Sequence, residues 1–192
     1  MSNITPIETA YKGHRFRSRL EARWAVFFET LRIPWLYEPE GFHFNGHMYL
    51  PDFFLPTLNH RSMSGDGTYA EIKPGNVDKS YSQMLSDFTE SSGKTLILLA
   101  SGTVEHSPSW HNGGDFHYEY TPCGGWDNCM LFAKCYRCGK IKIEFSEGNY
   151  MQCEECCGKK DKWCSADDNH PDLLAAVVAA KSARFEHGET PR

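Results

Sequence analysis

The sequence predicts an α/β protein in which a mixed sheet is flanked by helices. Residues 68–73 (TYAEIK) and 95–100 (TLILLA) have the aromatic, β-branched and aliphatic composition of strands. Between them, apolar residues recur at helical spacing from Tyr81 to Phe88, and Gly93 ends the helix. The crossover from the first of these strands through the helix to the second would be right-handed if the two strands are parallel. The unbroken apolar run of the second strand favours burial on both faces.

Bulk composition limits the classes of protein that this chain can be. Its 192 residues, 40% hydrophobic and 14% aromatic, are enough for one compact domain with a small appendage. No run of about 18 apolar residues occurs, which excludes a membrane partner. The first residues lack a secretory signal pattern, so a cytoplasmic protein of a bacterium or a phage-infected host is expected. The net charge of −5 favours contact with a polyanion through a local patch.

A first helix is predicted to begin at Ser18 and to end before Pro34. One apolar stripe would face the core: Leu20, Trp24, Phe27, Phe28 and Leu31. Ser18 and Glu21 fit a capping box, in which the Glu21 carboxylate bonds back to the Ser18 amide. The alternative interpretation makes Glu21 an extra carboxylate of a metal site. One side chain cannot fully satisfy both roles.

The residues around the start of this helix are the most basic stretch of the chain. Besides Lys12, four arginines lie there: Arg15, Arg17, Arg19 and Arg23. Charge runs are commonly solvated faces, and contact with nucleic-acid phosphates is the functional alternative. Lys140 and Lys142, further along the chain, are a second predicted group of DNA contacts.

Residues 48–55 (MYLPDFFL) and 68–73 are predicted to pair as a hairpin joined by a polar turn. In that hairpin Glu71 and Lys73 share the polar face of their strand, and Asp52 lies beside Glu71. Two close carboxylates repel each other unless a cation such as Mg²⁺ or Mn²⁺ lies between them. The alternatives are a turn carboxylate at Asp52 and a surface ion pair between Glu71 and Lys73.

Pro51-Asp52 followed by Glu71-Ile72-Lys73 resembles the signature of the PD-(D/E)xK nuclease superfamily. The stretches FRSRLEAR, at 16–23, and YEPE, at 37–40, are similar to those of phage-encoded members, such as the junction-resolving endonuclease I of T7-like phages. The likeness covers residues 12–100 and keeps the order of a Glu-bearing helix, PDF and E-x-K. It implies a restriction-endonuclease-like mixed sheet within a nuclease domain at residues 1–121.

The resemblance also implies a chemistry and a substrate. Asp52, Glu71 and the Ile72 carbonyl would hold Mg²⁺ or Mn²⁺, with Glu21 on a second ion, and Lys73 would orient or deprotonate the attacking water. The implied activity is a metal-dependent endodeoxyribonuclease that leaves a 5′-phosphate. Branched or junction DNA is the expected partner, in phage recombination, repair or genome processing. Junction cutting needs two active sites and therefore a homodimer.

Two Cys-x-x-Cys pairs separated by 14 residues predict a zinc ribbon within residues 122–168. Its ligands would be Cys135, Cys138, Cys153 and Cys156. Eight cysteines in a cytoplasmic chain favour structural Zn²⁺ over disulfides, and a redox dithiol would need only one pair. The remaining cysteines are Cys123, Cys129, Cys157 and Cys164. Cys157 is an alternative to Cys156, and the other three with a histidine are an alternative second metal site.

Residues 169–192 are predicted to form a helix that begins near Pro171, runs to the vicinity of Phe185 and is followed by a polar tail. Its stripe would be Leu173, Leu174, Val177, Val178 and Lys181. Packing against the domain is expected, and dimerisation is the alternative. A rival function fits the same chain: a zinc-ribbon factor that binds nucleic acid or protein on a catalytically silent nuclease-like scaffold. RNA is an alternative substrate.

Overall fold

The computed structural model describes residues 7–58, 67–105, 117–121, 126–128, 130–145, 151–152 and 165–185. Its helices are α1 (Arg19–Thr30), α2 (Lys79–Ser92) and α3 (Pro171–Ser182). The strands before residue 60 are β1 (Thr9–Tyr11), β2 (His14–Phe16), β3 (Leu36–Tyr37), β4 (Phe42–Phe44), β5 (His47–Tyr49) and β6 (Phe53–Leu55). The later strands are β7 (Thr68–Lys73), β8 (Leu96–Ala100), β9 (His117–Tyr120), β10 (Trp126–Asn128), β11 (Met130–Cys135), β12 (Ile141–Phe145), β13 (Met151–Gln152) and β14 (Ser165–Asp167).

A mixed sheet with the strand order β10-β9-β8-β7-β6-β3 organises the fold. Strands β7 and β8 are parallel and are connected through α2, while β6 and β9 pair antiparallel on either side of them. The predicted α/β class is therefore confirmed, and the two strands that flank α2 in the sequence are parallel. All five positions of β8 are buried, as its apolar composition predicted.

The two faces of this sheet carry separate hydrophobic cores, because successive side chains of a strand point to opposite faces. Ala70 and Ile72 of β7 belong to the core that contains α1. Tyr69 belongs to the other core, together with Phe88 of α2 and the β4–β5 hairpin. Glu71 has the same parity as Tyr69, and its side chain therefore lies on the α2 face of the sheet.

The segment MYLPDFFL does not form one strand, contrary to prediction. Strand β5 ends at Tyr49 and pairs with β4, whereas β6 begins at Phe53 and pairs with β7. Pro51 lies between the two strands, where it has no amide hydrogen to donate to a ladder. Strand β4 precedes this segment, and Asn45-Gly46 forms the turn of the β4–β5 hairpin.

Helix α1 is capped by Ser18 and ends before Pro34, as predicted. It is buried over more of its circumference than one stripe, because Ala22, Ala25 and Val26 are also inaccessible. Helix α3 packs against α1, and buried residues of both helices belong to the same core.

Helix α3 uses a different face from the predicted one. Leu173, Ala176 and Ala180 are buried, whereas Leu174 and Val178 are exposed. Small alanine side chains let the axes of two helices approach closely, which favours this face in the contact with α1. Packing of α3 against the domain is confirmed. No helix among the described residues is long and apolar enough to cross a membrane.

Residues 130–145 form a β11–β12 hairpin, to which β14 and then β13 are added as further strands. Phe132 and Ile143 of this hairpin are buried in the same core as α1. The Phe132 ring centroid lies 5.2 Å from that of Phe27 and 6.1 Å from that of Trp24. The cysteine-bearing hairpin and the central sheet therefore share one core.

Candidate functional site

Asp52 and Glu71 are neighbours at one end of the β6–β7 pairing. The register pairs Phe53 with Ala70, so Asp52, one residue earlier, is level with Glu71, one residue later. Both residues are buried, at 2% and 3% exposure. This juxtaposition on one polar face was predicted. Side chains of α2 and of the β4–β5 hairpin cover that face, so the alternative of an exposed ion pair does not describe it.

The two oxygens of Asp52 have different partners. The inner oxygen, Oδ2, accepts a hydrogen bond of 2.7 Å from the Ile72 amide. The other oxygen, Oδ1, lies 2.5 Å from Nη2 of Arg17, whose Nε is 2.7 Å from Oε1 of Glu38. The β7 backbone therefore holds one side of the carboxylate, while an arginine from the β2–α1 loop occupies the other.

Glu71 accepts hydrogen bonds from three side chains. The Tyr49 hydroxyl donates to Oε2 at 2.9 Å, and the Tyr81 hydroxyl donates to Oε1 at 2.5 Å. The Lys73 ammonium also contacts Oε1 and lies 5.1 Å from the centre of the Tyr81 ring. Donors from β5, α2 and β7 itself thus fix the position of one buried carboxylate.

The electrostatics of the site follow from burial and from like charges. Burial, followed by the charges of Glu71 and Glu21, raises the pKa of Asp52 to about 8, against the lowering effects of the Ile72 amide and Lys73. The contact with Arg17 favours the ionised carboxylate and therefore also opposes the rise. The pKa of Asp52 is nevertheless raised, because burial has the largest effect. Burial also raises the pKa of Tyr49 and of Tyr81 well above the ordinary range, so both phenols remain protonated donors.

Glu21 links the start of α1 to β3. Its Oε1 accepts a hydrogen bond from the Ser18 hydroxyl at 2.7 Å, and its Oε2 accepts from the Tyr37 hydroxyl at 2.7 Å and the Arg17 amide at 3.1 Å. The Glu21 amide donates to the Ser18 hydroxyl in return. The capping interpretation is thus realised with the Arg17 amide, not the predicted Ser18 amide, as the backbone donor.

The oxygen donors at the end of β7 suit a hard divalent cation, because carboxylates and main-chain carbonyls are the ligands that Mg²⁺ prefers. Among the described residues, no group of three or more His, Cys, Asp and Glu side chains is arranged to hold a metal ion together. Glu21 is engaged with the Ser18 and Tyr37 hydroxyls and the Arg17 amide. Asp52, Glu71 and the Ile72 carbonyl are the groups that would hold such an ion.

The predicted DNA-contacting residues do not share one environment. Arg17 is engaged with Asp52, whereas Arg15 pairs with Glu8 on the exposed β1–β2 hairpin. Arg19 and Arg23 are half-buried on α1. The second group, Lys140 exposed and Lys142 half-buried, lies on the β11–β12 hairpin.

Cys135 and Cys138 lie on the tight turn of the β11–β12 hairpin, as the Cys-x-x-Cys spacing predicted. The Gly139 amide donates to the Cys135 carbonyl at 2.9 Å, and Gly139 has a φ of +71°, which suits glycine. Cys135 is buried and Cys138 is exposed. Cys153 and Cys156 lie outside the described residues, as do the other four cysteines.

Sequence reasoning missed the tyrosines that bond the carboxylates: Tyr37, Tyr49 and Tyr81. Tyr81 was assigned to the apolar stripe of its helix, and Tyr49 to the strand of Asp52. A tyrosine presents an apolar body and a polar tip, so the stripe pattern alone does not reveal what its hydroxyl bonds.

Comparisons with known proteins add no relative to this picture. No family model, no curated protein and no solved structure matches the chain. The resemblance to PD-(D/E)xK nucleases therefore stays a prediction from motifs, and the site itself has to supply the functional interpretation.

Proposed function

We propose that the chain is a divalent-metal-dependent endonuclease that hydrolyses DNA phosphodiester bonds. One observation carries the proposal: Asp52 and Glu71 lie buried and level with each other, with the Lys73 ammonium on Glu71. Two buried carboxylates cost free energy unless cations compensate them, and such costly groups cluster at functional sites. The two carboxylates occupy the acidic positions of the nuclease motif, Asp52 directly before β6 and Glu71 within β7.

Each side chain has a defined task in this proposal. Mg²⁺ or Mn²⁺, when bound, would polarise a phosphoryl oxygen and lower the pKa of a bound water. Asp52 and Glu71 would supply the anionic ligands, and the donors to Glu71 keep that carboxylate oriented. Lys73, partly accessible beside Glu71, can orient a water and stabilise negative charge that develops on the phosphate.

The finer fold assignment is part of the proposal. The β6-β7-β8 segment of the mixed sheet, with α1 over one face and α2 over the other, is compatible with a restriction-endonuclease-like nuclease domain. A phage-type, structure-specific enzyme acting on branched DNA is the form that the motifs favour. Such an enzyme would work as a homodimer on a four-way junction.

The deciding experiment is a cleavage panel with four-way junction, single-stranded and plasmid DNA in Mg²⁺, Mn²⁺ or EDTA. We expect cleavage that requires the metal and that drops by about 10³-fold or more in Asp52→Asn and in Lys73→Ala. Asp87→Asn and Lys79→Ala, on α2 and outside the site, are the matched controls and should cut like the wild type. Cleavage retained by folded Asp52→Asn would refute the assignment.

A second candidate function has its own supporting observation. Both oxygens of Glu71, and both of Asp52, already have protein donors, so the acids are satisfied by the chain itself. This favours a catalytically silent scaffold that binds nucleic acid or protein. Tight binding of the same DNA panel, or of labelled RNA, without cleavage in either metal would support it.

We also propose that the Cys135–Cys138 turn holds half of a structural Zn²⁺ site. A tight turn with two cysteines three residues apart is the usual half-site of a zinc ribbon, and Cys153 and Cys156 would complete it. Elemental analysis tests this: one equivalent of zinc per chain is expected, and its retention in Cys135→Ser/Cys138→Ser would contradict the assignment.

A further inference from the structure

Arg17 occupies the side of Asp52 that an incoming cation would have to reach. The inner oxygen, Oδ2, is bonded to the Ile72 amide at 2.7 Å, so Oδ1 is the oxygen that faces away from the β7 backbone bond. Nη2 of Arg17 lies 2.5 Å from Oδ1, and Nε of the same guanidinium is 2.7 Å from Glu38. A protein cation and a metal ion would therefore compete for one carboxylate oxygen.

The Arg17 side chain is accessible to solvent, whereas its backbone is anchored. The Arg17 amide donates to Glu21 and to the Tyr37 hydroxyl, both at 3.1 Å, which anchors the loop. The Arg17 side chain, however, is 56% exposed, compared with 3% for Asp52. The side chain can thus turn towards solvent through its own rotamers, without any change in the loop.

We propose, on the basis of the proposed metal site, that Arg17 is a displaceable counter-cation of Asp52. In the metal-free protein Arg17 is paired with Asp52; when a divalent ion binds, Arg17 leaves Asp52 and its guanidinium becomes available to a substrate phosphate. The reason is electrostatic, because a divalent ion interacts with a carboxylate more strongly than a guanidinium does and repels it at close range. Arginine also suits phosphate, which it binds in a bidentate manner.

Site-resolved labelling with phenylglyoxal, read by mass spectrometry, measures this displacement directly. Arg15 is an internal reference in the same molecule, since it pairs with Glu8 on the exposed hairpin, away from Asp52. Saturating Mg²⁺ should raise the labelling rate of Arg17 relative to Arg15 by several-fold in the wild type. An unchanged or lower ratio would overturn the proposal.

Metal affinity provides a second readout, independent of cleavage. Removing the competing cation in Arg17→Gln should tighten Mn²⁺ binding by about fivefold, measured by electron paramagnetic resonance titration, whereas Arg15→Gln should leave it unchanged. Equal affinities of wild type and Arg17→Gln would refute competition. If the wild type binds no Mn²⁺, the proposed function fails as well; if it binds Mn²⁺ and neither readout responds to Arg17, the displacement alone fails.

Discussion

At Glu71 a single buried carboxylate takes hydrogen bonds from β5, α2 and its own strand. Hydrogen bonds to an ionised group are stronger than those between neutral partners, and the low dielectric of a buried site increases the difference. Tyr49 and Tyr81 thus compensate much of the desolvation of Glu71. They also limit the directions in which this carboxylate can present its oxygens to an ion.

Replacing Tyr81 by Phe removes one donor to Glu71 and keeps the ring. We expect the metal-free protein to lose about 1 to 2 kcal/mol of unfolding free energy, because the Glu71 charge is left less well compensated. Chemical denaturation in EDTA measures the loss. Tyr120→Phe is the matched control: the partner of the Tyr120 hydroxyl in the described part of the chain is the neutral Ser82 hydroxyl, so its removal should cost less. An equal loss in both variants would contradict this account of Glu71.

Sequence motifs identify the acids of the site but not their partners. Asp52, Glu71 and Lys73 follow from two short patterns, and strand periodicity places the latter two on one face. The assignment of Arg17 to phosphate contact could not anticipate its ion pair with Asp52. Arg17 and Asp52 are 35 positions apart in the sequence. They meet because the β2–α1 loop passes the start of β6, which Asp52 directly precedes.

The β6–β7 connection shows at the element scale how a glycine sets the geometry of the site. Gly67 precedes β7 at a φ of +91°, next to the last residues of β6. A Cβ atom there would lie 2.7 Å from Cα of Pro56 and 2.8 Å from the Leu55 carbonyl oxygen. The close approach of β7 to the end of β6, which also aligns Asp52 with Glu71, therefore requires glycine.

Gly67→Ala should destabilise the protein by about 2 to 4 kcal/mol, because backbone atoms of β6 would have to move. Gly13→Ala is the matched control: Gly13 also has a positive φ, +82°, but a Cβ atom there would meet no atom of a non-adjacent described residue within 4 Å. Conformational strain alone should cost the control about 1 kcal/mol. Denaturant unfolding compares the two, and equal losses would show that the close contact at Gly67 is unimportant.

The hairpins were the least well predicted elements, although the chain carries their signals. Asn45-Gly46 has the composition of a two-residue hairpin turn, and both residues have positive φ angles. The histidine-containing segments on both sides of this turn do not show a clear alternation of apolar and polar residues. Their short strands therefore could not be predicted from the pattern. Lys12-Gly13 is a weaker signal of the same kind for the β1–β2 hairpin.

At the scale of the whole molecule, the cysteine-bearing hairpin contributes to the main core. Phe132 is fully buried, and its ring packs against those of Trp24, Phe27 and Phe28 of α1. Helix α3 packs against the same helix. The β11–β12 hairpin and α3, both from the later part of the chain, thus pack against α1, and we expect them to unfold together with it.

Phe132→Ala should therefore destabilise the entire protein by about 3 to 5 kcal/mol, since a large aromatic ring is removed from a closed core. Thermal unfolding should show one transition, shifted to lower temperature by both far-ultraviolet circular dichroism and tryptophan fluorescence. Tyr136→Ala, in the turn of the same hairpin, is the control: Tyr136 is exposed and should cost less than about 1 kcal/mol. A separate early transition of the hairpin would show that its core is independent.

The sequence by itself determined the α/β class, the strands β7 and β8 with the helix between them, the approximate extents of α1 and α2, and the acidic motif. These features depend on local periodicity, capping residues and short-range spacing, which are written in consecutive residues. Only the tertiary structure decided that Arg17 meets Asp52, that Tyr49 and Tyr81 meet Glu71, and that Phe132 joins α1. Such contacts depend on how distant segments pack and on which faces become buried, and no local pattern encodes that choice.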